Sequence, residues 1–261
     1  MDITVIIPAL NEEKNILSAI HNVLTAFSDC DISGEIIIIN DGSTDRTETL
    51  VRDRMYNDNR IRLITHDRPL GIGASFWDGV DSAHADVVVL IPGDDENIPQ
   101  EIFRYYALLQ DVDMVIPFVS NKEARSQFRN ILSTIYHFVI KVTFQINLKY
   151  TNGTVLYRKS VLNALELRNK SFFFQTDILL RGMRQGRRFR EVPYKIGTRK
   201  QGSSNAFTLF SFAQVIHGYL RLIKDFYFTK TINKPIQLTD NSSMPIRRDE
   251  QTTKTPGARF T

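Results

Sequence analysis

The 261-residue chain contains a single cysteine, Cys30, which excludes an internal disulfide and a thiolate-built zinc centre. Its five histidines, His21, His66, His84, His137 and His217, show no metal-ligand spacing. No stretch offers the roughly 20 uninterrupted apolar residues that a membrane-spanning helix needs. The nearest, residues 206–228, is broken by Gln214, His217, Arg221, Lys224 and Asp225. The opening Met1-Asp2-Ile3-Thr4-Val5-Ile6-Ile7-Pro8 lacks the basic and apolar regions of a secretion signal, so a cytosolic location is the expectation. Also missing is a Gly-x-Gly-x-x-Gly turn after the first apolar run, which excludes a dinucleotide pyrophosphate site there. No glycine- and lysine-rich phosphate loop stands in its place, which argues against a nucleotidyltransferase.

What is present is ordinary in amount and uneven in arrangement. Hydrophobic residues at 42% and charged residues at 24% fit a globular protein, and the length accommodates one large domain with or without appendages. The net charge is only +4, yet residues 181–200 hold Arg181, Arg184, Arg187, Arg188, Arg190, Lys195, Arg199 and Lys200 against the lone acid Glu191. Such a run reads as a solvated face, or as a surface for anionic lipid or a phosphorylated acceptor. Without interleaved aromatics it does not point to nucleic acid.

Apolar strands at 3–8, 35–40, 61–65 and 87–91 alternate with amphipathic helices at 11–26, 44–55 and 74–85. This alternation predicts βαβ units, an α/β class and a mostly parallel sheet flanked by helices. Asn11 is expected to cap the first helix, and Ser43 or Thr44 the second. Further on come a helix to about residue 109, a strand at 114–117 and a long helix at 127–144. A strand at 154–157, helices at 160–166 and 176–185, and a strand at 190–195 follow. Residues 1–205 are thus expected to form one domain. Residues 206–236 form an amphipathic segment whose Phe207, Phe210, Phe212, Tyr219, Leu222 and Phe226, with basic residues alongside, suit a bilayer surface. Packing of that helix on its own domain is the alternative. Residues 237–261, rich in Asp, Asn, Ser, Pro, Arg and Thr without periodicity, predict a disordered tail.

Three strand ends carry chemistry. The run 87–91 stops in Pro92-Gly93-Asp94-Asp95-Glu96-Asn97. Adjacent carboxylates repel, and they become tolerable when a hard divalent cation sits between them and phosphate oxygens. A solvated acidic turn is the plainer alternative. The first strand ends in Pro8-Ala9-Leu10-Asn11-Glu12-Glu13, which suits a base or ribose better than phosphate. The second ends in Asn40-Asp41-Gly42-Ser43, where a carboxylate is placed to accept from a nucleobase N–H. After the third strand, Gly71 and Gly73 allow close backbone approach at a helix N-terminus, a favourable place for an anion.

In this order the pieces resemble the family-2 glycosyltransferases of GT-A fold, especially the polyprenyl-phosphate sugar transferases of the dolichyl-phosphate mannosyltransferase type. The resemblance covers residues 3 to about 205. It extends to Thr151-Asn152-Gly153-Thr154-Val155-Leu156-Tyr157-Arg158, to Glu191-Val192-Pro193, and to Arg199-Lys200-Gln201-Gly202-Ser203-Ser204. Four positions depart from the pattern: Pro92 replaces the first acid of Asp-x-Asp, Asn205 a lysine, Lys149 an acid and Val155 an arginine.

The resemblance implies inverting transfer of a sugar from a nucleoside diphosphate sugar. It implies that Pro8, Ala9, Leu10, Glu12 and Asp41 surround base and ribose, with Gly71, Gly73 and Asp94 completing the donor site. Asp94 and Glu96, with Asp95 standing in for the acid lost at Pro92, would hold Mg²⁺ or Mn²⁺. Arg129, Arg199 and Ser204 would hold an acceptor phosphate, for which guanidinium forks are suited. With a polyprenyl phosphate acceptor, the enzyme would sit peripherally on the cytoplasmic face of the membrane. With a glycan or small-molecule hydroxyl acceptor, Asp177 is the candidate general base. A non-catalytic sugar-nucleotide binding protein is the alternative of another class.

Overall fold

The computed structural model describes residues 1–121, 123, 127–146, 148–197 and 209–228, and the side chains of 128, 129 and 209–214 lie outside that description. Strand β1 (Ile3–Ala9) pairs in parallel with β2 (Gly34–Asn40) on one side and β4 (Val87–Leu90) on the other. Strand β3 (Ile61–Thr65) extends the sheet beyond β2, also in parallel. The remaining strands are β5 (Met114–Val119), β6 (Leu156–Arg158) and β7 (Phe189–Tyr194). The seven-stranded order is β3-β2-β1-β4-β6-β5-β7, with β6 antiparallel to both β4 and β5. The expected mixed α/β architecture, mostly parallel with helices on its faces, is what the chain adopts.

Buried apolar strands give this sheet two cores. Ile37 and Ile39 face one side with Ile6, Val88 and Leu90; Ile36 and Ile38 face the other with Ile3, Val5, Ile7, Val87 and Val89. That is the period-2 alternation of a pleated strand, and both faces are apolar because both are covered. Helix α1 (Ile16–Asp29) covers the second face with Ile16, Ala19, Ile20, Val23 and Phe27. Helix α3 (Ile72–Ser82) covers the first with Phe76, Trp77 and Val80. Helix α2 (Thr47–Asn57) is more polar and buries only Thr47 and Val51.

Both capping expectations are corrected. Helix α1 starts at Ile16 with Asn15 as its N-cap, so Asn11 is free for another task. Helix α2 starts at Thr47, and Asp45, not Ser43 or Thr44, accepts from the Thr47 N–H at 2.9 Å. The predicted helix after Pro99 is shorter: α4 (Pro99–Phe103) passes into a 3₁₀ turn (Tyr106–Gln110).

The second half adds α5 (Gln127–Phe144), α6 (Lys159–Asn163), α7 (Phe174–Arg184) and α8 (Leu209–Tyr227). Helix α8 packs on the domain through Leu222 and Phe226, and Phe226 meets Phe144 of α5 edge-on at 5.1 Å between centroids. Its outer side leaves Ile216, Leu220 and Tyr227 exposed. Helix α5 exposes a matching row, Ile131, Ile135, Phe138 and Val142, at helical spacing. Among the described residues, no helix is long and apolar enough to cross a membrane. The tail predicted at 237–261 lies outside the described residues.

Candidate active site

Strands β2 and β4 flank β1, so the chain leaves β1 in one direction and returns on the other side for β4. In open α/β sheets a ligand crevice forms at such a reversal, beyond the carboxyl ends of the strands. Three loops meet there, and backbone hydrogen bonds tie them together. The Asp41 N–H donates to the Ala9 carbonyl at 2.9 Å, and the Gly93 N–H to the Pro8 carbonyl at 3.2 Å. Pro8, Ala9, Asp41 and Asp94 are thereby collected at one edge.

Side chains lock the first two loops to each other. Asn11, at φ 57°, accepts from the Thr44 N–H at 2.8 Å through Oδ1, and its own N–H donates to Ser43 Oγ at 3.0 Å. The Glu12 N–H donates to Thr47 Oγ1 at 2.9 Å, and the Glu13 N–H to Asp45 Oδ2 at 3.1 Å. Burial pushes the Asp45 carboxyl upward, but hydrogen bonds from Thr47 and the Glu13 N–H outweigh it and hold the pKa below its ordinary value. Pro8, Leu10 and Glu12 are partly open to solvent around this clamp, whereas Ala9 is buried.

Asp41 is more constrained than its motif suggests. Its Oδ1 faces His66 Nδ1 at 2.7 Å and accepts from the Leu70 N–H at 2.7 Å, while Oδ2 accepts from the Gly71 N–H at 2.8 Å. His66 Nε2 in turn faces Asp78 Oδ2 at 3.0 Å. Sequence reasoning passed over His66 and Asp78 because it asked of histidines only whether they had metal spacing. The available signal was position: His66 directly follows β3, at the same sheet edge.

The two glycines separate in role. Gly71 adopts φ 93°, and no atom stands within 4 Å of where a Cβ would be, so its face is open. Gly73 is different. A Cβ there would stand 2.5 Å from the Ser171 carbonyl oxygen, so this glycine lets α3 pack against the 170–171 backbone.

The acids after β4 also divide. Asp94 Oδ1 accepts from the Glu96 N–H at 3.2 Å, its sole hydrogen bond among the described residues, and both side chains are half-buried. The Glu96 carbonyl accepts from the Gly197 N–H at 2.9 Å, which backs the acidic turn with the chain leaving β7. Asp95, at φ 59°, turns to α1, where its carboxylate accepts from Ser18 Oγ at 2.7 Å and Asn22 Nδ2 at 2.5 Å. Asp95, expected to stand in for the acid missing at Pro92, also fastens the acidic turn to α1. Among the described residues no three His, Cys, Asp or Glu side chains cluster closely enough to form an all-protein metal site. Two carboxylates still fit Mg²⁺ or Mn²⁺ by donor chemistry, since Mg²⁺ is usually bound by one or two carboxylates together with substrate phosphates and water.

Helices α5 and α7 meet the turn at 151–154. Gln175 Nε2 donates to the Gly153 carbonyl at 2.7 Å, and Thr176 Oγ1 meets Tyr136 Oη at 2.7 Å and Asn152 Oδ1 at 3.2 Å. His137 Nε2 accepts from the Thr151 N–H at 3.1 Å. Asp177 does not join this group. It is 3% exposed and pairs with Arg181 Nε at 2.9 Å, and Arg181 reaches on to Asp225 Oδ2 of α8 at 2.6 Å. Burial raises the Asp177 pKa even against the Arg181 charge. Asp177, expected as a general base, ties α7 to α8 through Arg181 in this fold. The basic run is corrected in part as well: Arg181 is buried, and Arg184 lies over the Phe226 ring and donates to the Phe226 carbonyl at 2.9 Å. Arg129 stands on α5 with its side chain undescribed, and Arg199 and Ser204 lie outside the described residues.

A mostly parallel sheet of this order, with carboxylates in the turns after β2 and β4, is a GT-A fold. The chain belongs to glycosyl transferase family 2, whose profile matches residues 4–166. Among curated proteins it is 25% identical over 173 residues to a dodecaprenyl-phosphate galacturonate synthase of Rhizobium johnstonii, covering 64% of this chain and 51% of that one. It is 29% identical over 142 residues to an undecaprenyl-phosphate 4-deoxy-4-formamido-L-arabinose transferase of Salmonella choleraesuis, covering 54% and 43%. The chain thus spans about half the length of these relatives. Its fold matches glucosyl-3-phosphoglycerate synthase from Mycobacterium tuberculosis, solved with Mg²⁺ and UDP, at a TM-score of 0.64 and 20% identity over 85% of this chain and 79% of that one.

Proposed function

We propose that this site binds a nucleoside diphosphate sugar and transfers the sugar, with inversion, to a polyprenyl phosphate. The observation that carries the proposal is the junction of the β1, β2 and β4 ends, where Asp41 and Asp94 stand on loops bonded to the same strand. Pro8, Leu10, Glu12 and Asp41 hold base and ribose, and the open face of Gly71 admits the ligand beside them. Asp94 and Glu96 hold Mg²⁺ or Mn²⁺, which supplies Lewis-acid neutralisation of the charge on the departing diphosphate. The clamp through Asn11, Ser43 and Thr44 keeps the base-binding loops at fixed spacing, so little ordering remains to be done on binding.

The surroundings of Asp177 support this acceptor. A hydroxyl needs a base to take its proton, and the candidate carboxylate is buried against Arg181. A phosphate monoester is already ionised and attacks without one. The names of the curated relatives point to the same acceptor class, a polyprenyl phosphate. The exposed rows of α5 and α8 suit peripheral contact with the bilayer that carries such a lipid. Arg129, Arg199 and Ser204 remain the candidates for its phosphate.

The test is product partition. Labelled UDP-, GDP-, CMP- and dTDP-sugars are incubated with undecaprenyl phosphate and Mn²⁺, then extracted with organic solvent. Label in the organic phase, lost when the lipid is omitted, is expected. Label transferred only to water-soluble glycans would overturn the lipid acceptor, and binding without any transfer would support a non-catalytic protein.

A further inference from the structure

We infer that His66 is a positioning residue for donor recognition, holding the Asp41 carboxylate so that it selects a base presenting a ring N–H. The inference rests on the nucleotide-sugar site proposed above. An ionised carboxylate offers about four lone-pair positions and donates nothing. Asp41 fills two on Oδ1, with the His66 ring at 2.7 Å and the Leu70 N–H at 2.7 Å. It fills one on Oδ2, with the Gly71 N–H at 2.8 Å. The position left open is therefore on Oδ2, the oxygen next to Gly71, whose far face carries no neighbouring atom within 4 Å.

The three partners are unequal. Leu70 and Gly71 lie in an exposed stretch that begins at Asp67, so their N–H groups hold the carboxylate from a surface loop. His66 holds it from inside. Its side chain is 8% exposed, that of Asp41 is 7%, and the far ring nitrogen is anchored on Asp78 of α3. Since carboxylates only accept, the ring donates through Nδ1 to Asp41 and, when both nitrogens carry protons, through Nε2 to Asp78. Removing the imidazole frees a second acceptor position on Oδ1 and leaves the carboxylate to the surface loop alone. Uracil and guanine present a ring N–H to such an acceptor, whereas cytosine presents a lone pair at N3 that a carboxylate repels. Discrimination between them depends on a single, fixed acceptor direction.

The experiment is calorimetric binding of UDP, GDP and CDP with Mg²⁺ to the full chain, for the wild type, His66→Ala, His66→Asn and Asp78→Asn. The wild type is expected to bind the better of UDP and GDP more tightly than CDP. His66→Ala is expected to lower that affinity about tenfold and to narrow the ratio to CDP, the scale of one charge-assisted hydrogen bond. His66→Asn, which keeps a donor near the Nδ1 position, should restore most of the ratio; a purely structural histidine would not give that recovery. Should His66→Ala not fold, Asp78→Asn is read instead, with the ratio narrowing about threefold. A wild type that binds no nucleotide overturns the site itself. A wild type that prefers CDP overturns the selection of a ring N–H by Asp41, and a wild type that discriminates, with variants that discriminate equally, overturns the role of His66 alone.

Discussion

The two halves of the sheet are built on different logic. On the donor side, β3, β2, β1 and β4 are parallel, and their loops are bonded to one another at a shared edge. On the other side, β6 runs antiparallel between β4 and β5, and helices α5, α7 and α8 pack on one another. The first half fixes its strand-end loops through backbone and short polar side chains. The second is held by buried charge and aromatic contacts between α5, α7 and α8. A change in the first should therefore be read in binding and turnover, and a change in the second in stability.

Arg181→Ala presses hardest on that contrast. It strands Asp177 in the interior without its partner, and breaking a buried pair in this way costs about 3–5 kcal/mol. Urea denaturation is expected to show such a loss, with donor affinity retained under conditions where the variant is folded. A loss below about 1 kcal/mol would mean the ion pair is dispensable.

Asp94→Asn is the converse change. Turnover is expected to fall by about 10²-fold or more, with the melting temperature unchanged, as the charge-stabilising role proposed for the residue requires. Steady-state transfer assays and a thermal melt check both parts. Full activity in the variant would remove Asp94 from the site.

Asn11→Ala sharpens the donor side. It deletes the acceptor for the Thr44 N–H and loosens the clamp between two loops. A rise in donor KM of about fivefold with little change in kcat is expected, roughly 1 kcal/mol of lost ordering.

The smallest effect concerns Glu35, at the opposite end of β2. Burial pushes its pKa up, but hydrogen bonds from the His84 N–H, Thr4 and Arg62 prevail and lower it from its usual 4.5. A carboxyl depressed in the folded state contributes stability above the unfolded value and loses it as pH falls through the folded one. Thermal melts below pH 4.5 are thus expected to drop less steeply for Glu35→Gln than for the wild type.

The same contrast governs what the sequence discloses. Strands β1, β2 and β4 are continuous apolar runs ending in polar turns, so fold class and strand placement are legible from local pattern. The resemblance of the strand-end motifs to a known family adds the donor class. Hidden are properties that depend on distant partners. Ser18 and Asn22 of α1 hold the Asp95 carboxylate. Arg181 and Asp225 enclose Asp177, and Asp225 lies on another helix. The backbone at 170–171 packs against Gly73. His66 gave the opposite error, since nothing near it in sequence announces Asp41 or Asp78. Short-range pattern finds strand ends, and only the fold decides which of their side chains remain available.

The central claim is that donor binding is completed by an ion held at Asp94. The direct measurement is the affinity for UDP or GDP with and without Mn²⁺, in the wild type and in Asp94→Asn. A tightening of about tenfold or more by Mn²⁺ in the wild type, abolished in the variant, is the predicted result. Equal affinities under both conditions, or equal tightening in both proteins, would contradict it.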